Sequence, residues 1–167
     1  MNSFRFCKIN NIMTNWDAWM KFGELKGNMP FSEAVSVFRS FLSSEEQGSL
    51  KLRKTTYLFS INTGSTSLVE FSSRDCDYDS PLSSVALVAL DRLDLECLTR
   101  FFTQHDLMDE KVGLLGKPQD YIEAKYGKPD YSVHNSIEYV KDEFSVDFLF
   151  NIDNKSLCGH ISLVWHP

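Results

Sequence analysis

The sequence has few of the residues that break or cross-link a chain. Its 167 residues include five prolines, eight glycines and four cysteines, and no Gly/Ser, Gln/Asn or Pro tract exceeds a short turn. This composition excludes disorder as a description of the whole chain. No run of 18 apolar residues is present, and the N-terminus lacks the apolar core of a secretion signal. We therefore expect no membrane contact and a cytoplasmic location.

The cysteines and histidines also lack the spacings that hold metals or pair into disulfides. No two cysteines form a C-x-x-C motif, and no histidine pair forms H-E-x-x-H. In a cytoplasmic chain such cysteines are reduced thiols, so we expect no disulfide, metal or cofactor. These residues are Cys7, Cys76, Cys97 and Cys158, with His105, His134, His160 and His166.

Aromatic residues are plentiful. Thirteen Phe, six Tyr and three Trp supply large apolar areas, each worth roughly 1.5–3 kcal/mol when fully buried. A chain of this length fits one domain, which we predict to span residues 1–167. Met13 is an alternative start, in which case residues 1–12 form a poorly ordered extension.

Three segments have helical patterns. From Phe31 to Leu42, apolar residues recur at i, i+3 and i+4, and Ser32 is the predicted N-cap. A second helix is predicted over 94–106, where Asp94 and Glu96 favour the first turn. A third is predicted over 118–126, with a proline in the first helical position and a glycine after the last.

The remaining patterns are those of strands. Residues 144–150 alternate apolar and polar, which is typical of a half-buried strand. Residues 72–83 are polar and are predicted to form a loop. The fold class predicted is α+β: an antiparallel sheet of about five or six strands, with a C-terminal three-stranded meander, packed by two or three helices. The predicted strands cover 55–61, 67–71, 85–90, 137–140, 144–150 and 161–165.

Charge is spread unevenly along the chain. Residues 1–60 carry eight Lys and Arg against five Asp and Glu, whereas residues 61–167 carry nine against eighteen. The acidic part should repel nucleic acid and attract a basic protein. The plainer interpretation is that mild acidity keeps the protein in solution.

One acidic motif resembles a metal loop. Asp75, Asp77 and Asp79 have the D-x-D-x-D spacing that begins a calcium loop, but Ser80 and Ala86 stand where Gly and Glu are needed. We therefore interpret the motif as an acidic loop that faces a cationic partner. The predicted partner-binding residues are Asp75, Asp77, Tyr78, Asp79, Asp106, Asp109 and Glu110.

Catalytic motifs are absent from the sequence. There is no G-x-S-x-G and no glycine-rich phosphate loop, and Gly113–Pro118 is better explained as a turn before a proline-started helix. A nucleophile–base pair assembled across the fold, such as Cys76 with a histidine, is the alternative that sequence leaves open. We predict that the protein is not an enzyme.

The C-terminal third carries a resemblance. Gly116-Lys117-Pro118, a helix, Gly127-Lys128-Pro129-Asp130 and then a meander resemble several families of bacterial immunity proteins from polymorphic-toxin and contact-dependent growth-inhibition systems. The similarity covers 115–165 and also extends to the helix-plus-meander unit of β-lactamase-inhibitor-like and outer-membrane-assembly lipoproteins, which are exported. An immunity protein is a cytoplasmic toxin inhibitor, so the resemblance implies binding to a basic toxin domain, for example a nuclease. The alternatives are a generic adaptor domain and a small enzyme with a cross-fold active site.

Overall fold

The computed structural model describes most of the chain from Lys21 onward. The predicted extension over residues 1–12 lies outside the described residues. The described residues are 21–22, 25–44, 50–53, 56–59, 68–75, 77–108 and 110–167. The α-helices are α1 Phe31–Ser40, α2 Arg92–Gln104 and α3 Gln119–Tyr126. The strands are β1 Lys21–Phe22, β2 Leu25–Lys26, β3 Leu50–Arg53, β4 Thr56–Phe59, β5 Val69–Ser73, β6 Leu82–Val88, β7 Tyr131–Val133, β8 Ser136–Val140, β9 Phe144–Ile152 and β10 Leu157–Trp165.

The main sheet is antiparallel and has the order β3-β4-β5-β6-β10-β9-β8-β7, while β1 and β2 form a separate hairpin. The α+β class, the antiparallel sheet and the C-terminal meander are therefore confirmed, the meander being β8-β9-β10. The sheet includes two short edge strands, β3 and β7, that were not predicted. Strand β7 has only three residues and all of them are exposed, so its Tyr-Ser-Val alternation is too short to indicate a strand.

The predicted loop over 72–83 and the predicted strand over 85–90 need correction. Strand β5 continues to Ser73 and β6 already begins at Leu82, because Ser72 and Ser84 pair across the ladder although neither is apolar. Strand β6 ends at Val88 because the chain then turns into α2. The Leu90 amide donates to the Asp94 side chain at 3.0 Å instead of to a neighbouring strand.

One face of the sheet carries the core. The strand register aligns buried apolar side chains in a row that crosses five strands. Because side chains alternate along a strand, all members of this row point to the same side, which we call the core face. From β8 to β5 the row is Ile137, Phe148, Ile161, Leu87 and Val69.

Helix α1 packs on the core face and begins at Phe31, so the prediction of Ser32 as its N-cap is wrong. The N-cap is Pro30, which offers no side-chain cap. Instead the Phe31 amide donates to the Ser80 carbonyl at 2.9 Å, and the Ser32 amide donates to the Tyr78 carbonyl at 3.0 Å. A loop from elsewhere in the chain thus satisfies amides that helix starts leave unpaired.

Helix α2 begins two residues earlier than predicted and ends at Gln104. Asp91 is its N-cap, and the Asp91 side chain accepts from the Asp94 amide at 2.9 Å. The helix packs beside α1, because Phe101 lies 6.2 Å from the ring of Phe38. Phe38 in turn contacts Phe71 of the core face at 4.8 Å, which links both helices to the sheet.

Helix α3 also covers the core face, through ring contacts of Tyr126 with Tyr139 and Phe148. Pro118 is its N-cap instead of its first helical residue, because extended backbone there bridges to β10. Gly127 ends the helix with a φ of 85°, as predicted. Within the described residues, none of these helices is long and apolar enough to cross a membrane.

Candidate protein-interaction site

The acidic motif lies between β5 and β6, where the structure describes residues 74–75 and 77–81, which we call the acidic loop. The Asp75 amide donates to the Ser80 hydroxyl at 3.2 Å, and the Asp79 amide donates to the Asp77 carboxylate at 3.3 Å. The Ser80 amide closes the turn onto the Asp77 carbonyl at 3.3 Å. These bonds support the described part of the loop from within.

Tyr78 stands at the tip of the acidic loop beside the start of α1. Its side chain is 42% exposed, and its ring meets the buried ring of Phe31 edge to face at 6.0 Å. Its carbonyl is already fixed by the amide of Ser32. A partly exposed tyrosine on a rigid base is typical of residues that contribute strongly to protein interfaces.

The carboxylates of the acidic loop face solvent. Asp75, Asp77 and Asp79 are exposed, and within the described part of the chain no ion pair joins them to a Lys or Arg. The nearest cation in sequence, Arg74, donates instead to the Asn28 side chain at 3.4 Å. The three carboxylates of the loop outnumber its one guanidinium, so the loop carries net negative charge.

The described residues contain no group of three or more His, Cys, Asp and Glu side chains that could hold a metal ion. In the acidic loop, Ser80 stands where a calcium loop has glycine. The Ser80 hydroxyl binds the Asp75 amide, so it supports the loop.

The other predicted partner-binding residues lie after α2 and differ from one another in their exposure and bonding. Asp106 is exposed and has a positive φ of 54°, whereas Asp109 lies outside the described residues. Glu110 accepts a hydrogen bond from the Tyr126 hydroxyl and forms an ion pair with Lys125 at 3.0 Å. Glu110 thus ties the segment after α2 to α3, and within the described chain neither it nor Asp106 is bonded to the acidic loop.

The bond from Tyr126 is the main reason that the pKa of Glu110 is lowered, with Lys125 and Lys111 adding to it against partial burial. A lowered folded-state pKa means that the carboxylate stabilises the fold above its unfolded-state pKa, and that this contribution is lost as pH falls through the folded-state pKa.

Substitution of Tyr126 by Phe should therefore lower the free energy of unfolding by about 1 kcal/mol at pH 7. The difference from wild type should shrink as the pH falls through the lowered folded-state pKa of Glu110, because the carboxylate is then protonated in both proteins. Urea unfolding at several pH values measures this difference. A difference that does not depend on pH would mean that the hydroxyl acts on something other than the carboxylate.

A second acidic feature was not predicted, and it lies on the face of the sheet opposite the helices. Glu138 of β8 and Asp147 of β9 are direct cross-strand partners, and both are half-buried. Burial is the main reason that the pKa of Asp147 is raised, and the Glu138 carboxylate raises it further. Alternation along β9 does indicate that Asp147 points away from the core. Its pairing with Glu138, however, depends on the strand register, which the sequence does not reveal.

Three described side chains that could take part in catalysis are wholly or partly buried. Burial raises the pKa of the Cys158 thiol to about 12, so this cysteine is not a thiolate at neutral pH. Burial lowers the pKa of His160, and Lys111 is buried beside an apolar cavity lined by core residues of β6 and β10. Cys76, the nucleophile of the enzyme alternative, lies outside the described residues. No protein-family model, curated protein or solved structure matches this chain.

Proposed function

We propose that this chain is a non-enzymatic inhibitor, an immunity protein that binds a basic toxin domain and blocks its working surface. The observation that carries the proposal is the acidic loop, in which Asp75, Asp77 and Asp79 are exposed and form no ion pair with any described cation. Tyr78 adds an aromatic contact at the centre of the same loop. A nuclease domain, whose substrate-binding surface is cationic, is a partner of the required charge.

Charge of this kind acts mainly on the rate of encounter. Complementary potentials steer two proteins together and raise association rates by one to three orders of magnitude at low ionic strength. This effect suits an inhibitor that must reach its toxin before the toxin reaches its substrate.

Co-expression tests the proposal. In the immunity systems that this sequence resembles, the inhibitor gene lies next to its toxin gene, so the probe is the C-terminal domain encoded immediately upstream. We expect that domain to arrest growth alone and to be harmless when this chain is co-expressed. An upstream gene without a growth-arresting domain, or arrest that continues despite normal levels of this chain, would contradict the proposal.

A further inference from the structure

We propose that the partner docks on the sheet face opposite the helices, and that it places an arginine side chain between Glu138 and Asp147. This inference rests on the proposed function, since it assigns a docking face to the basic partner. We call this side of the sheet the open face.

No described element covers the open face. Helices α1 and α3 contact Phe71 and Phe148, whose side chains are on the core face, and α2 packs beside α1. The β1-β2 hairpin also lies on the core side, because a Cβ on Gly27 would overlap the ring of Trp165. The described chain thus leaves one broad face of its sheet without a layer, although sheets usually bury both faces or keep the outer one polar.

The open face is amphipathic where β7, β8, β9 and β10 meet. The register places its side chains in two adjacent rows that run across these strands. Tyr131 and Val133 are 62% and 70% exposed, while the remaining members are half-buried. The first row consists of Tyr131, Glu138, Asp147 and Ser162. The second row consists of Val133, Ser136, Leu149 and His160.

The charge on this surface is unbalanced. Like charges directly opposite each other on a sheet are destabilising, and within the described residues neither Glu138 nor Asp147 has an ion-pair partner. Glu70, farther along the same face, differs, because Arg53 offsets part of the effect of burial on its pKa. Among the described residues, a cation thus lies near one open-face carboxylate, whereas none forms an ion pair with Glu138 or Asp147.

Arginine fits this gap better than lysine does. Its planar guanidinium can donate to two carboxylates at once and is less strongly hydrated than an ammonium group. Tyr131 lies beside Glu138 in the same row and offers an aromatic ring on which a guanidinium can stack. The apolar side chains of Val133 and Leu149 would cover the arginine stem.

Burial and the neighbouring Glu138 carboxylate both disfavour the ionised form of Asp147. The negative charge that would attract an arginine therefore lowers the stability of the unbound protein. Because the pKa of Asp147 is raised in the folded protein, its ionisation costs stability as pH rises through that pKa. Asp147→Asn should therefore raise the melting temperature at pH 7 by about 1–3 °C, and this gain should vanish at a pH where Asp147 is protonated. A variant that is folded and stabilised can be tested for binding without ambiguity.

The experiment uses the full chain with ¹⁵N labelling and a blocked tri-arginine peptide as probe. Asp75→Asn, Asp77→Asn and Asp79→Asn are present as a background that removes the charge of the acidic loop. We expect amide shifts along β7 to β10, and a dissociation constant at least tenfold higher when E138Q and D147N are added.

The matched control is Glu70→Gln, which neutralises a carboxylate on the same face and should leave the affinity unchanged. A tri-lysine peptide should bind more weakly. Shifts that map elsewhere, an E138Q/D147N affinity equal to that of its background, or equal binding of the two peptides would each overturn the inference.

The toxin domain separates failure of this inference from failure of the proposed function. If E138Q/D147N binds and neutralises the toxin domain as the wild type does, the docking face is wrong while the inhibitor function stands. If the upstream domain does not bind the wild type, the proposed function fails, and the peptide map still decides whether the open face binds arginine.

Discussion

Phe148→Ala is expected to lower the free energy of unfolding by about 3–5 kcal/mol, a large part of the stability of a domain of this size. Phe148 is fully buried at the middle of β9. Its ring lies 6.5 Å from that of Tyr126 on α3 and 6.0 Å from that of Tyr139 on β8. Removing it would open a cavity where the helix, two strands and the central row of the core meet.

Leu149→Ala is the matched control for this prediction. Leu149 is the next residue of the same strand, but its side chain is on the open face and is only half-buried. We expect a loss below about 1.5 kcal/mol, because less apolar area returns to water. Urea unfolding of the two variants measures both values. Equal losses would contradict the assignment of the core to one face of the sheet.

Gly159→Ala is expected to have the second largest effect, a loss of about 1–3 kcal/mol. Gly159 lies in β10 where the register with β9 shifts between Cys158 and His160. A Cβ there would overlap the Asn151 side-chain oxygen and the Ala89 carbonyl. The Gly159 carbonyl also accepts from the Ala89 amide at 2.6 Å, so the backbone has little freedom to move away.

Gly113→Ala provides the comparison, because a Cβ at Gly113 would meet no atom within 4 Å. The free energy of unfolding of that variant should lie within about 0.5 kcal/mol of the wild-type value, as is usual for surface substitutions. If G159A is as stable as G113A, the close approach of β10 to the end of β6 is not the constraint described here.

The parts of the fold that follow from local pattern could be predicted. The alternation over 144–150 identifies β9, and Gly127 identifies the end of α3. The start of α1 could not be predicted, because its first amides are bound by carbonyls of Tyr78 and Ser80, about fifty residues away. The local sequence predicts a side-chain cap at Ser32, but backbone hydrogen bonds to a distant loop bind these amides instead.

Part of the candidate site could likewise be predicted from the sequence, and part could not. Composition and spacing locate the acidic loop, since exposed aspartates and a tyrosine in a loop need no pairing partner to be recognised. Charge alone groups Glu110 with these residues. Only the structure reveals that Glu110 accepts a hydrogen bond from Tyr126 and forms an ion pair with Lys125. The opposition of Glu138 and Asp147 depends on register, which arises from packing across the whole sheet.

The most direct test of the proposed inhibitor function is the rate at which the chain associates with the domain encoded immediately upstream, measured by stopped-flow at several salt concentrations. We predict that the wild-type rate falls steeply with added salt. The acidic-loop variant D75N/D77N/D79N should associate about tenfold more slowly at low salt.

A control that removes the same charge from exposed positions elsewhere, Glu96→Gln with Asp142→Asn and Glu143→Gln, should keep the wild-type rate. An acidic-loop variant that associates as fast as wild type at low salt would contradict the claim that this loop meets a basic partner.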